Sequence, residues 1–168
     1  MDLRQNNKHK RIKRRRVIIS FLFLIFLVIS CKKPIQSSNE FPFQKIEEKV
    51  TRIINGNDII KEIDMTSLTP FNWDKLYIFK PYELTESVDN ELEFDWDIPK
   101  NISILHDEIN NLLVFTKNDS VVTYIQWPKD KGDFMRIETL MYSNDSAKFI
   151  LKKEKYGGRD KIFIYEDK

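Results

Sequence analysis

Ile46, Val50, Ile53 and Ile54 recur at i, i+4, i+7 and i+8. That is the spacing of one helical face, and it predicts an amphipathic α-helix over residues 44–55. Asn55-Gly56 supplies the stop, because glycine can take the left-handed conformation just past a helix end. Further along, the period falls to two. Phe71, Trp73, Lys75, Tyr77 and Phe79 would share one side of a strand over residues 71–79, which Pro81 ends for want of a backbone N–H. Leu92, Phe94, Trp96 and Ile98 then interleave with Glu91, Glu93, Asp95 and Asp97. This alternation predicts a strand with one apolar and one carboxylate face. Residues 83–90 between the two runs read as a short helix or loop.

Residues 112–115 and 121–127 flank Lys117-Asn118-Asp119-Ser120 and form a predicted hairpin. Residues 134–141 read as another strand. Residues 147–154 and 161–165 flank Gly157-Gly158 and make a second hairpin with a longer loop. Strands joined by tight turns pair antiparallel. The fold class expected is therefore α+β, an N-terminal amphipathic helix packed on a mainly antiparallel β-sheet. No repeat of solenoid period is found.

Charge changes the picture at the N-terminus. The chain has 168 residues, with 28 Lys+Arg against 26 Asp+Glu. Eight of the bases (Arg4, Lys8, Lys10, Arg11, Lys13, Arg14, Arg15 and Arg16) and one acid, Asp2, lie in residues 1–30. Removing them leaves 20 bases and 25 acids, a net charge of −5 for residues 31–168. The basicity thus belongs to a terminal segment, and nucleic acid is not an expected partner of the folded part. Arg14-Arg15-Arg16 runs into residues 17–30, which contain no charge, Gly or Pro. Basic region, apolar region and a small residue at the cut follow the order of a secretory signal. As a helix, fourteen residues span about 21 Å against roughly 30 Å of bilayer hydrocarbon. Snorkelling arginines and a thinned bilayer keep a signal-anchored, single-pass protein as the alternative.

Leu27-Val28-Ile29-Ser30-Cys31 holds the only Cys of the chain, so an intramolecular disulfide is excluded. This junction resembles the lipobox of bacterial lipoproteins. Val28, Ser30 and Cys31 stand at the aliphatic, small and obligatory Cys positions, and Ile29 is bulkier than usual at the middle one. The resemblance implies that signal peptidase II cuts between Ser30 and Cys31 and that Cys31 carries a thioether-linked diacylglycerol. The membrane then becomes the first partner. Two acyl chains suit an anchor, since each buried CH₂ contributes about 0.8 kcal/mol and one chain alone holds marginally. Residues 32–39 are polar and form a tether of at most about 27 Å. No Asp stands at position 32, where enteric bacteria use one for inner-membrane retention, so the resemblance implies the outer membrane in a Gram-negative host. The organisation expected is a signal peptide over 1–30, a lipidated Cys and tether over 31–40, and one globular domain over 41–168.

Candidate chemistry is sparse. His106 is the one histidine outside the signal, and His106-Asp107-Glu108 reads as a solvated turn or helix start. With Cys31 acylated, Cys/His zinc sites and Cys-His catalysis are not expected. No G-x-S-x-G, P-loop, H-E-x-x-H or EF-hand pattern occurs. No cofactor or metal is expected. Residues 83–97 contain seven carboxylates and no base. On a strand, Glu91, Glu93, Asp95 and Asp97 would stand about 6.6 to 6.8 Å apart. That spacing overlaps the carboxyl separation of inverting glycosidases, although any acidic strand has it. A solvated face, contact with a basic partner, and metal binding or catalysis are its three readings.

Residues 69–82, with Phe71-Asn72-Trp73-Asp74 leading into an apolar stretch and Pro81-Tyr82, are similar to a motif of small uncharacterised bacterial secreted proteins and lipoproteins. The resemblance implies that class and no activity. The function expected is a membrane-anchored lipoprotein, not an enzyme, with an extracytoplasmic domain serving an envelope role or binding an envelope protein or glycan. Glu91, Glu93, Asp95 and Asp97 are its possible partner surface. The alternative is a carboxylate-based hydrolase of envelope glycans.

Overall fold

The computed structural model describes residues 39–56, 61–83, 85–102 and 106–167. Among these, the fold is α+β, with a helix on a mainly antiparallel sheet as the hydrophobic pattern requires. The elements are β1 (Asn39–Glu40), α1 (Gln44–Asn55), β2 (Lys61–Asp64), α2 (Met65–Leu68), β3 (Lys75–Phe79), α3 (Thr85–Leu92), β4 (Asn110–Thr116), β5 (Val121–Pro128), β6 (Met141–Ser143), β7 (Lys148–Tyr156) and β8 (Arg159–Glu166). Two 3₁₀ turns, Lys129–Lys131 and Phe134–Arg136, lie between β5 and β6. The strands form a larger sheet, ordered β1-β5-β4-β3-β6, and a smaller one, β2-β7-β8. Only the short β1–β5 pairing is parallel; Asn39 and Glu40 face Thr123 and Tyr124. The last residue of the expected tether, Asn39, thus already lies in the sheet.

The larger sheet is buried on both faces, which divides the molecule into three layers. On one face, Leu76, Ile78, Leu113, Phe115, Ile125 and Trp127 pack with Ile46 and Val50 of α1 and with Ile63, Phe149, Leu151 and Ile164 of the smaller sheet. On the other, Tyr77, Phe79, Leu112, Val114, Val121 and Tyr124 are covered by Val88 and Leu92 of α3 and by Trp96. Strands β3 and β4 therefore carry continuous apolar runs rather than alternating ones. Val121 and Tyr124 share a face despite their odd separation because a bulge lies between them. Thr116 faces Val121 and Phe115 faces Thr123, so one extra residue reverses the parity of the strand. Both cores draw their buried side chains from residues 43–164, with Phe41 packed at the margin.

The helix over residues 44–55 forms as expected, with Ile46 and Val50 buried and Ile53 and Ile54 half-buried against the core. Its termination differs. Gly56 is extended (φ −62°, ψ 161°) rather than left-handed, and the Lys61 ammonium donates to the Ile54 carbonyl. A cation satisfies a terminal carbonyl and complements the helix dipole. Both hairpins form. In the first, Lys117 and Ser120 exchange backbone hydrogen bonds of 2.9 and 3.2 Å. Asn118 and Asp119 take φ of 49° and 54°, the double positive-φ geometry that matches strand twist. In the second, the loop is tighter than expected. Gly157 and Gly158 alone form the turn, with φ of 58° and 79°, and Tyr156 pairs with Arg159.

Three strand expectations are corrected. The first strand starts at Lys75, not Phe71. The chain bends through residues 70–74, and the Trp73 indole donates to Thr69 Oγ1 at 2.9 Å. Phe71 and Trp73 consequently join one core while Tyr77 and Phe79 join the other. The alternation at 91–98 is not a strand: Leu92 ends α3 and the following residues run without a ladder. The reason is visible in retrospect, since Val88, Leu92 and Trp96 recur every four residues, and acidic side chains are poor strand formers. Residues 134–141 are not a strand either. Asp133 Oδ1 accepts from Met135 N at 3.0 Å and caps a 3₁₀ turn, so that only Met141–Ser143 pairs, with β3. Neither β2 nor the single-turn α2, capped by Asp64, has a signal of its own in the hydrophobic pattern.

Candidate functional site

The four carboxylates singled out in the sequence, Glu91, Glu93, Asp95 and Asp97, are all exposed. Between them Leu92 and Trp96 are buried, and Phe94 and Ile98 half-buried, against the second core. Three features hold this arrangement. Glu93 takes a left-handed conformation (φ 62°) that ends α3, and its N–H reaches the Asn90 carbonyl at 3.3 Å. The Asp89 carboxylate then accepts from the Trp96 backbone N–H at 3.1 Å. The Trp96 ring lies 5.8 Å from that of Tyr124, tilted by 58°. Apolar anchors at every second position thus press the segment onto the sheet and leave the charges on its crest. Among the described residues, none of the four carboxylates forms an ion pair. The strand spacing that suggested a glycosidase-like carboxylate pair does not apply, because the segment is a helix end followed by an unpaired run.

Other polar groups gather at positions that no sequence pattern marks. Asp133 is 1% exposed. Its Oδ2 lies 2.7 Å from Lys161 Nζ and 3.9 Å from Lys129 Nζ, while its backbone bonds Ile162 O and Ile164 N at 2.9 Å each. The residue fastens the 3₁₀ turn to β8. It is a buried carboxylate whose Oδ1 caps the turn and whose Oδ2 is balanced by the Lys161 ammonium rather than by a well-aligned hydrogen bond, which marks it as structural. Glu166 performs a similar task at the other end of β8. Its Oε1 accepts from Thr139 N at 2.9 Å, Glu138 N at 3.1 Å and Tyr142 Oη at 2.9 Å. These bonds, the Thr139 amide foremost, hold its carboxyl down at about 2, and burial pushes the Tyr142 hydroxyl up.

His106 is exposed in a turn. The neighbouring Asp107 Oδ1 accepts from Ile109 N at 2.8 Å and Asn110 N at 2.9 Å, so this polar cluster is the solvated turn its composition suggests. Among the described residues no group of three or more His, Cys, Asp or Glu is placed to hold a metal, and no helix is long and apolar enough to cross a membrane. Cys31 and Ser30 lie outside the described residues. A hollow of about 520 Å³ sits between the end of α1 and the smaller sheet, lined by Ile54, Asn55, Lys61, Leu151, Lys153 and Ile162 among others. It lies across the larger sheet from the acidic crest.

Comparison of the chain with family models, with curated proteins and with solved structures yields no match.

Proposed function

We propose that the chain is a bacterial lipoprotein precursor whose mature form begins at Cys31, carries diacylglycerol there, and displays a non-catalytic binding domain outside the cytoplasm. In a Gram-negative host the membrane is the outer one. The observation that carries this reading is positional: the only Cys of the chain ends an uncharged fourteen-residue apolar run that follows three arginines, with Val28 and Ser30 at the lipobox positions. The fold supports it, because among the described residues the buried side chains of both cores lie downstream of residue 42. The acidic crest is the binding surface. Its exposed, unpaired charges, held above buried apolar anchors, suit a basic envelope protein better than a reacting bond, which needs carboxyl groups converging on one point.

The test is metabolic labelling with a palmitate analogue. Wild-type chain is expected to incorporate label and to be processed, and Cys31→Ala to do neither. Labelling that survives Cys31→Ala would overturn the proposal.

A further inference from the structure

Beyond Leu151, which pairs with Lys61 of β2, the β7–β8 hairpin continues for five more residue pairs, to Tyr156 and Arg159. At its base this stretch is held by Asp133, whose N–H bonds the Ile162 carbonyl beside the buried Phe163; towards the tip, among the described residues, Lys155, Tyr156, Arg159 and Asp160 are exposed and pair only across the hairpin. Lys152, Lys153, Lys155, Tyr156 and Arg159 are exposed. From 152 to 161 the ribbon holds five bases, Lys152, Lys153, Lys155, Arg159 and Lys161, against Glu154 and Asp160, a formal net charge of +3 on a domain that is otherwise acidic, with Lys161 turned to the buried Asp133 and the other four bases exposed. Asp160 is taken up by Lys155 at 2.6 Å and Lys153 at 3.2 Å, and Glu154 accepts from the Tyr165 hydroxyl. Tyr156, at the tip, is 49% exposed.

The hairpin belongs to the smaller sheet, and the acidic crest lies on the opposite face of the larger one. The three layers therefore separate charge, with a basic ribbon on one side and Glu91, Glu93, Asp95 and Asp97 on the other. We infer that the hairpin is a docking surface for anionic phospholipid headgroups, which lays the domain on its membrane with the acidic crest turned outward. The inference rests on the lipoprotein reading, since a tether of about 27 Å or less keeps the ribbon close to headgroups at high effective concentration. Flexible basic stems around an aromatic tip match an interface that is charged above and apolar below. The remaining acids do not cancel the attraction, because charges more than about 8 Å from the surface are largely screened at physiological salt.

The full chain, isolated from membranes and reconstituted in phosphatidylcholine vesicles with or without phosphatidylglycerol, tests this through amide hydrogen exchange at residues 152–160. Exchange is expected to slow by about tenfold or more when phosphatidylglycerol is present, and to return at high salt. The variant Lys152→Gln/Lys155→Gln/Arg159→Gln is expected to lose that protection. Each cation near an anionic surface contributes about fivefold, so the three together weaken docking by about a hundredfold. Equal exchange on the two kinds of vesicle would overturn the inference, and so would protection that survives in the triple variant. Protection on pure phosphatidylcholine that grows with protein density would also overturn it, by identifying a second copy of this chain as the partner. Flotation with pure phosphatidylcholine vesicles reports the lipid anchor separately, so failure of the anchor and failure of the hairpin are distinguishable.

Discussion

The Asp89 carboxylate accepts the Trp96 backbone N–H at 3.1 Å, seven residues apart and across the end of α3. The bond folds the acidic segment back so that the indole enters the second core beside Tyr124. Trp96→Ala should lower stability by roughly 3 to 5 kcal/mol, and Asp89→Ala by about 1 to 2 kcal/mol through loss of a charge-assisted hydrogen bond. Urea titration checks both. A loss below about 1 kcal/mol for Trp96→Ala would show that this side chain does not anchor the crest.

Glu166 links pH to stability. Its carboxyl is held at about 2 against a usual 4.5. A depressed carboxyl stabilises the fold fully above its unfolded value, and that contribution is lost as pH falls from about 4.5 towards 2. Glu166→Gln should therefore be less stable than wild type at pH 7, and the difference between the two should shrink across that acid window. Asp64, Asp145 and Asp160 are also lowered, so the measurement is the difference between the two proteins rather than either curve alone. A constant difference from neutral to acid pH would remove Glu166 from the account.

Asn111 is fully buried on β4, opposite Trp127. Neither Oδ1 nor Nδ2 finds a hydrogen-bond partner among the described residues. Burying an amide without a partner costs roughly 1 to 3 kcal/mol. Asn111→Val, β-branched and close in volume, should be neutral or should stabilise by up to about 2 kcal/mol in the same titration. A clear loss of stability would mean that an ordered water satisfies the amide.

Legibility in the sequence followed the range of the forces involved. Helix α1 was plain because Ile46, Val50, Ile53 and Ile54 repeat one local geometry, and both hairpins were plain because Asn118-Asp119 and Gly157-Gly158 suit turns that require positive φ. Residues 91–98 misled because period two and period four coincide at Leu92 and Trp96. The weak strand preference of the acidic residues, the left-handed turn at Glu93 and the side-chain bond from Asp89 together decided the conformation. Residues 134–141 misled because the capping role of Asp133 depends on Lys161 and β8, which are distant in sequence. At the candidate site, the exposure of the four carboxylates was legible from alternation alone, but the backbone beneath them was not. The basic ribbon was present in the composition of residues 152–161. Its significance appears only when the layers place it across the sheet from the acidic crest.

The domain should fold independently of the anchor. A chain starting at Ser37 keeps β1 and, among the described residues, every side chain of both cores, and loses Cys31 together with the basic segment. It should be soluble, monomeric and cooperatively unfolding, as expected of one domain of this size, and its surplus of acids favours solubility. It should also show no measurable affinity for duplex DNA at physiological salt. The eight bases of residues 1–30 are gone, and the +3 ribbon alone neutralises too few phosphates for the counterion-release term that drives such binding. Size-exclusion chromatography, a urea titration and a gel-shift assay check the three parts. Aggregation relieved only by detergent would show instead that an apolar face of the domain rests permanently on the membrane or on a partner. The fold would then be that of a complex subunit rather than of a tethered free domain.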